Sequence, residues 1–459
     1  MKIIKFYNRE KEIELLERVE KPFLAIIYGR RRIGKTTLAL KFARDKDFIY
    51  FFVNPKKPEN LLLEEFTSIL KEKLSLPEYV RPTNWEEFFE LLFKNYDGYV
   101  IFDEFQWFLE INKEVPFILQ KYWDVHKGAS IILTGSIIGM IKKLFIEEGS
   151  PLFKRAEITI NLQEFDIKTV FEVLSDLGFK NLEEKFEFYL LFGGVPYYYH
   201  LLKKYRISSV EEAIKILVLD ENAPLRNEVE EVMIEAFKRE YKTYLAILYA
   251  IADGKTKLAE IASCAGIKTT SLMPYIYDLM NLLGIIEKQR MGLGKKHIYL
   301  VKDKFHNFWL RYIYKYSGIL DEEELFEKIR ADINNFFGWS FEVAVRENIK
   351  KVFPEFKTYT KYCGYLRRKG KRKVFDIDIL AINEKTKEVL FAECKWQSKV
   401  NAKKIAKELA EKSQYVQWHN EERKEYFAIF AKSFKEKIEE FEGRKVYCFD
   451  LKDLERFMK

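Results

Sequence analysis

Residues 1 to about 205 alternate short apolar runs, "FLAIIY", "DFIYFFV", "GYVIFDEF" and "ASIILTGS", with amphipathic stretches of helical spacing. That alternation predicts a parallel sheet covered by helices. Residues 206 to 315 read as mostly helical, ending in short alternating segments. "SGILDEEELFEKIRADINNF", residues 316 to 335, reads as a charged helical connector. Residues 336 to 459 return to mixed helix and strand. The expected class is α/β, in the domains 1–205, 206–315, a linker 316–335, and 336–459. Within the second, "YLAILYAIADGKTKLAEIASCAGIKTTSLMPYIYDLMNLLGIIEKQRMGLGKKHIYLV" has the order helix, helix, helix, strand, strand of a winged helix. Its third helix would present Lys268, Thr269, Thr270, Ser271 and Tyr275, and its wing Arg290, Lys295 and Lys296, which suits phosphates and base edges. Packing against other protein is the alternative.

Between the first strand and the first long helix stands "GRRRIGKTT". Gly29, Gly34, Lys35 and Thr36 fit G-x-x-x-x-G-K-[ST], the pattern of a phosphate-binding loop. Glycines let the main chain wrap a phosphate chain with its N–H groups inward, and the following helix adds unpaired N–H groups and a positive dipole end. ATP is expected along Gly29, Arg30, Arg31, Arg32, Ile33, Gly34, Lys35, Thr36 and Thr37. Lys35 would act on the β- and γ-phosphates, and the Thr36 hydroxyl would bind Mg²⁺. "VIFDEF" places Asp103 at the end of another buried strand, to hold Mg²⁺, and Glu104 beside it, to polarise the attacking water. Thr134 and Ser136, closing "IILTGS", can sense the γ-phosphate or simply end a strand.

The far end of the chain raises a different question. "VFDIDILAINEKTKEVLFAECKW", residues 374 to 396, sets carboxylates into buried-strand runs. Strand alternation puts Asp376 and Asp378 on one face, with Phe375, Ile377 and Ile379 on the other. After a turn at "NEKTKE", Phe391, Glu393 and Lys395 share a face, with Ala392, Cys394 and Trp396 opposite. Pairing these strands would gather Asp378, Glu393 and Lys395. Two carboxylates suit Mg²⁺, a hard, oxygen-seeking ion, and a metal beside a phosphodiester stabilises charge on its oxygens. Asp378 and Glu393 are the expected metal ligands and Lys395 the group that orients water. A sheet with one solvated face would show the same alternation.

Composition narrows the classes. The net charge of +8 over 459 residues is a mild basic excess, compatible with nucleic acid. The run "YLRRKGKRKVFD" gathers Arg367, Arg368, Lys369, Lys371, Arg372 and Lys373, which could neutralise phosphates or form a solvated turn. Four scattered cysteines without a C-x-x-C pair argue against a disulfide framework or zinc site. The start lacks a secretory h-region and no apolar run reaches the ~18 residues of a membrane span. A soluble, cytoplasmic chain is expected.

Two resemblances follow from these residues. "FYNREKEIELL", "GRRRIGKTT", "VIFDEFQ", "LTGS" and "LFGGVPYYY" resemble the archaeal ATPase family, a signal-transduction branch of P-loop ATPases related to AAA+ proteins. The resemblance implies that Phe6, Arg9 and Glu10 help seat the base, that Arg155 is a γ-phosphate arginine, though Lys154 stands where relatives have glycine, and that Gly193-Gly194-Val195-Pro196 marks a lid. Asp378, Glu393 and Lys395 resemble the PD-(D/E)xK nucleases, a restriction-endonuclease-like α/β fold. That resemblance implies Glu342 as an added ligand and Gln414-Tyr415 on the next helix. The expected function is a Mg²⁺-dependent ATPase with DNA-binding and nuclease activity. The alternative is a nucleotide-gated DNA-binding or assembly switch with an inactive nuclease-like domain. Expected partners are ATP and DNA, with self-association left open and no membrane.

Overall fold

The computed structural model describes residues 6–125, 128–145, 148–294, 297–368 and 371–458. The chain forms two compact units. The first runs to Glu164 and includes Val195–Tyr197 and Tyr277–Gly284; the second holds Phe165–Gly194, Tyr198–Ile276 and the chain from Ile285 onward. No helix among the described residues is long and apolar enough to cross a membrane.

The first unit is built on β1 (Leu24–Tyr28), β2 (Phe48–Phe52), β3 (Tyr99–Asp103), β4 (Ser130–Gly135) and β5 (Ile158–Asn161), in the order β2-β3-β4-β1-β5. Every pairing is parallel, so connections must cross over the faces and both faces become buried. Alternation along β1 divides the core. Leu24 and Ile26 join Phe51, Phe102 and Leu133 under the helices Glu59–Leu74 and Trp85–Asn95. Ala25 and Ile27 join Ile101, Ile132 and Ile160 under the helices Glu10–Arg18 and Lys35–Ala43. The first side is aromatic: the Phe51 and Phe66 rings stack at 4.6 Å. Parallel register brings the carboxyl ends of β1, β3 and β4 together, since Tyr28 pairs with Gly135 and Phe102 with Leu133. In such sheets that edge is where ligands bind.

The second unit begins with helices, among them Tyr241–Ala252, Leu258–Cys264 and Leu272–Asn281, the last of which passes into the first unit at Tyr277. A hairpin follows, β6 (Ile286–Arg290) with β7 (His297–Val301). The helix Glu322–Val352 starts at a capping box, in which Asp321 accepts from the Glu324 N–H and Glu324 reaches back, satisfying two end donors at once. It continues across residue 335, so the charged connector and the start of the C-terminal region are one element. A six-stranded sheet comes next: β8 (Thr358–Arg368), β9 (Lys371–Asn383), β10 (Glu388–Lys395), β12 (Lys424–Ala431), β14 (Glu440–Phe441) and β15 (Arg444–Phe449), in the order β14-β15-β12-β10-β9-β8. Two short strands, β11 (Val400–Asn401) and β13 (Phe434–Glu436), pair separately. β8, β9 and β10 are antiparallel, while β10, β12 and β15 are parallel. The helix Ala402–Ser413 lays Ile405, Ala406 and Leu409 on Ile377, Leu380, Phe391 and Phe427.

The expected alternation along β9 needs one correction. Thr360 pairs with Leu380 and Tyr362 with Ile377, so Asp378 and Ile379 together face Lys361. This is a β-bulge. Ile379 therefore leaves the face of Phe375 and Ile377, and Leu380 takes its place in that core.

Candidate functional site

The front site lies at the carboxyl edge of the first sheet. Gly29 (φ +150°), Arg32 (φ +67°) and Gly34 (φ +93°) turn the loop between β1 and its helix. Gly34 ends as the N-cap of the helix Lys35–Ala43, and its carbonyl accepts from the Leu38 N–H at 2.9 Å. Lys35 is buried, and its ammonium donates to the Arg30 carbonyl at 2.9 Å, so the lysine is folded back across the loop. Burial pulls this ammonium below the ordinary lysine range, with Glu104 and Asp103 acting the other way. The Thr36 hydroxyl reaches both Asp103 oxygens, at 2.9 and 3.1 Å. Tyr50 donates to Asp103 at 2.7 Å, and Thr134 donates to it as well. The carboxylate in turn holds the Tyr50 hydroxyl, already raised by burial, well above its usual range. Two residues expected to share a Mg²⁺ thus stand in contact, and the donor set is the hard-oxygen kind that this ion prefers.

Glu104 is turned by its own backbone, which sits in the left-handed region at φ +56°. Its carboxylate accepts from the Ser136 hydroxyl at 2.6 Å and from the Gln106 amide at 2.5 Å. Thr134 and Ser136 therefore bond the two acids in succession. Arg9 is also buried and ties the loop to the chain after β5, donating to Gln163 O at 2.7 Å and Ile33 O at 3.5 Å. Arg30 pairs with Glu164, and Arg32 lies over the Tyr197 ring at 4.3 Å, next to the Gly193–Pro196 turn. Glu10 is exposed in the first turn of its helix, and Phe6 packs against the smaller core. Arg155, to which the resemblance gives a γ-phosphate role, forks onto Asp124, at 2.8 Å from both Nε and Nη2.

The rear site gathers the three expected residues. Lys395 Nζ is 2.6 Å from Glu393 and 3.9 Å from Asp378. β9–β10 pairing stops at Ile379 and Ala392, so beyond it the Asp378 carboxylate itself accepts from the Cys394 N–H at 2.8 Å. Burial, then Glu393 and Glu342, push the Asp378 carboxyl up to about 7. Burial disfavours the Lys395 ammonium, yet Glu393 and Asp378 outweigh it and hold it above the ordinary lysine range. A cation already stands between the two acids, where a divalent ion is expected. Among the described residues no three His, Cys, Asp or Glu are grouped to hold a metal. A pair of carboxylates still fits Mg²⁺, which keeps several waters.

Two lysines outside the expected set complete this cluster. Lys412 reaches Glu393 at 2.5 Å, and Lys361 reaches Glu342 at 3.0 Å. Lys412 continues the inward stripe of Ile405 and Leu409 at i, i+4, i+7, a signal legible in the sequence. Lys361 has no such signal. Gln414 is an exposed C-cap two residues beyond Lys412, and Tyr415 packs on Phe375. Glu342 pairs with Arg346 at 3.1 Å as well as with Lys361. In the hairpin, Arg290 caps its own turn through Gly294 O and Leu293 O, at 2.8 and 2.6 Å, instead of projecting. Lys268, Thr269, Thr270 and Ser271 are exposed, while Tyr275 packs edge-on against Tyr244. Lys295, Lys296 and Lys369 lie outside the described residues, as do the side chains of Arg367, Arg368, Lys371, Arg372 and Lys373.

Comparison with known proteins matches two stretches of the chain to family models. A family model described as an ATPase domain predominantly from Archaea covers residues 6–203. One described as "Archaea bacterial proteins of unknown function" covers 309–405. The uncharacterized protein MJECL04 of Methanocaldococcus jannaschii is 32% identical over 98% of this chain and 99% of its own length. An uncharacterized ATP-binding protein of the same organism, MJ0423, is 51% identical over 47 residues, 10% of this chain and 80% of the relative. Among solved structures, the Walker-type ATPase of Pyrococcus abyssi is similar in fold, with a TM-score of 0.54 and 20% identity over 67% of this chain and 96% of that one.

Proposed function

We propose that this chain, which belongs to the archaeal ATPase family, hydrolyses ATP at its front site and carries a nuclease-like centre at Asp378, Glu393 and Lys395. The contact of Thr36 with Asp103 beside a buried Lys35 carries the first half. The loop N–H groups wrap the phosphates, and Lys35 exchanges the Arg30 carbonyl for phosphate oxygens, a stronger partner because it is charged. Thr36 and Asp103 would hold Mg²⁺, which offsets charge on the phosphate chain. Glu104, fixed by Ser136 and Gln106, orients the water for in-line attack; positioning and charge stabilisation supply most of the acceleration. The test is phosphate release by Lys35→Ala: turnover should vanish, and unchanged turnover overturns the assignment.

At the rear, the reading rests on Lys395 standing between Asp378 and Glu393. Those two acids would hold a Mg²⁺ that neutralises charge on phosphodiester oxygens, while Lys395 orients water and Lys412 keeps Glu393 in place. DNA is the proposed substrate. The helices Tyr241–Ala252, Leu258–Cys264 and Leu272–Asn281 with the β6–β7 hairpin form the proposed winged helix, with Lys268 to Ser271 as its exposed contact. Metal-dependent nicking of supercoiled plasmid, lost in Asp378→Ala and Lys395→Ala, tests this. One observation favours the switch reading: Glu393 is held by two lysines at once. A wild type that binds DNA but never cuts it selects that reading.

A further inference from the structure

The rear cluster has a second half that the three-residue pattern does not contain. Lys361 sits on the edge strand β8. Its ammonium is 3.0 and 3.2 Å from the two oxygens of Glu342, 3.5 Å from Asp376 and 4.0 Å from Asp378. Glu342, on the helix Glu322–Val352, is mostly buried and takes Arg346 from one turn further along at 3.1 Å. Its charge is thus met by two cations of the chain itself.

Backbone features on both edges of β8 hold Lys361 there. On one edge, the bulge sets Asp378 and Ile379 opposite this single residue, and bulges re-aim side chains in this way. On the other edge, the β6–β7 hairpin joins the strand. The Gly292 N–H donates to the Lys361 carbonyl at 2.7 Å, Met291 bridges to Lys361, and the Thr360 hydroxyl donates to the Arg290 carbonyl. Gly292 has φ +62°, and a Cβ there would lie 3.0 Å from the Tyr362 ring, so both the backbone conformation and the close approach favour glycine. The placement of Lys361 is built by three segments of the fold.

We infer that Lys361 is a resident counter-ion on the Glu342 side of the centre, limiting it to one divalent cation, at Asp378 and Glu393. This rests on the metal-dependent reading of that pair. Two-metal sites hold their ions about 3.5–4 Å apart, close enough for one carboxylate to touch both. Asp378 is the acid placed to bridge. Its Oδ2 accepts from Cys394 N–H and faces Lys395, while its Oδ1 faces Lys361. Where Lys395 gives way to the first ion at Glu393, the Lys361 ammonium stays at the position a second ion would take, because both Glu342 oxygens hold it; Glu342, which the nuclease resemblance makes a ligand, serves as the anchor of that ammonium. Lys361 is therefore a positioning residue.

The test is Mn²⁺ titration of the full-length, nucleotide-free chain carrying Asp103→Asn to silence the front site, read by the paramagnetic resonance of free Mn²⁺. One ion should bind, and Asp378→Ala should remove it. Lys361→Met should raise the count to two, Lys361→Arg should keep it at one, and Lys361→Met with Glu342→Gln should return it to one. A folded Lys361→Met that still takes one ion overturns the inference, as does a parent protein that takes two and loses one on Glu342→Gln. If Lys361→Met does not fold by circular dichroism, Glu342→Gln decides: unchanged count and affinity support the inference, and a tenfold loss of affinity overturns it. A parent that binds no Mn²⁺ removes the metal reading itself, and the inference with it.

Discussion

Alanine at Gly29 and at Gly34 should cost the protein very different amounts, although both glycines belong to the same loop. At Gly29 (φ +150°) a Cβ would lie 2.5 Å from the Leu162 carbonyl oxygen and 2.6 Å from Ile33 Cδ1. The Ile33 tip can turn aside. The Leu162 carbonyl cannot, because the Leu162 N–H donates to Tyr28 O at 2.7 Å and Asn161 beside it is paired with Tyr28. Overpacking of this kind costs about 1–3 kcal/mol, and a backbone conformation that L residues rarely adopt adds about 1–3 kcal/mol, giving roughly 4 kcal/mol in all. At Gly34 (φ +93°) nothing lies within 4 Å of the added carbon. Only the left-handed backbone is penalised, by about 1–2 kcal/mol. Urea unfolding of nucleotide-free protein reads both through the midpoint at constant slope. Equal losses, or a larger loss for Gly34→Ala, would refute the packing of the loop against the chain after β5.

Three further outcomes are expected. Lys412→Met leaves the buried Glu393 with Lys395 alone and should lower stability by about 2 kcal/mol; an unchanged urea midpoint would mean that this pair does not hold the acid. Glu187 is pushed up to about 7 by burial and then by Glu183, with Glu184 and Glu211 adding and Lys432 opposing. Its folded-state pKa lies above the unfolded one, so its contribution is intact below about pH 4.5 and is lost as pH rises toward 7. Glu187→Gln should then stabilise the protein by about 1 kcal/mol at pH 8, once solvent screening is allowed for, and not at pH 4; an equal gain at both values contradicts this. Arg155→Ala should leave ATP turnover within about threefold, because its guanidinium is committed to Asp124; a hundredfold loss would mean that it swings to the nucleotide.

The sequence disclosed the front site better than the rear. Gly29 to Thr36 is a continuous stretch whose local chemistry sets its own geometry, and the buried run before Asp103 fixes where that acid emerges. Four of the five strands of the first sheet fall on the apolar runs; β5 is short and alternates, with the pattern of an edge. Tyr50 as a partner of Asp103 was not legible, since it depends on the β2–β3 register. The rear acids and Lys395 were visible as charges in apolar strands. The bulge that exchanges Ile379 for Leu380 was not, because alternation assumes an unbroken ladder. Lys361 is 17 residues before Asp378 and comes to it only through that bulge and the hairpin beyond, so no local pattern names it.

The proposed function puts phosphoryl chemistry at two separate places in one chain. Phosphate release from ATP and nicking of supercoiled plasmid, followed in the same Mg²⁺-containing reaction, test it directly. Lys35→Ala should stop the first and Asp378→Ala the second. Phosphate release that survives Lys35→Ala, or nicking that is absent from the wild type or survives Asp378→Ala, would contradict it.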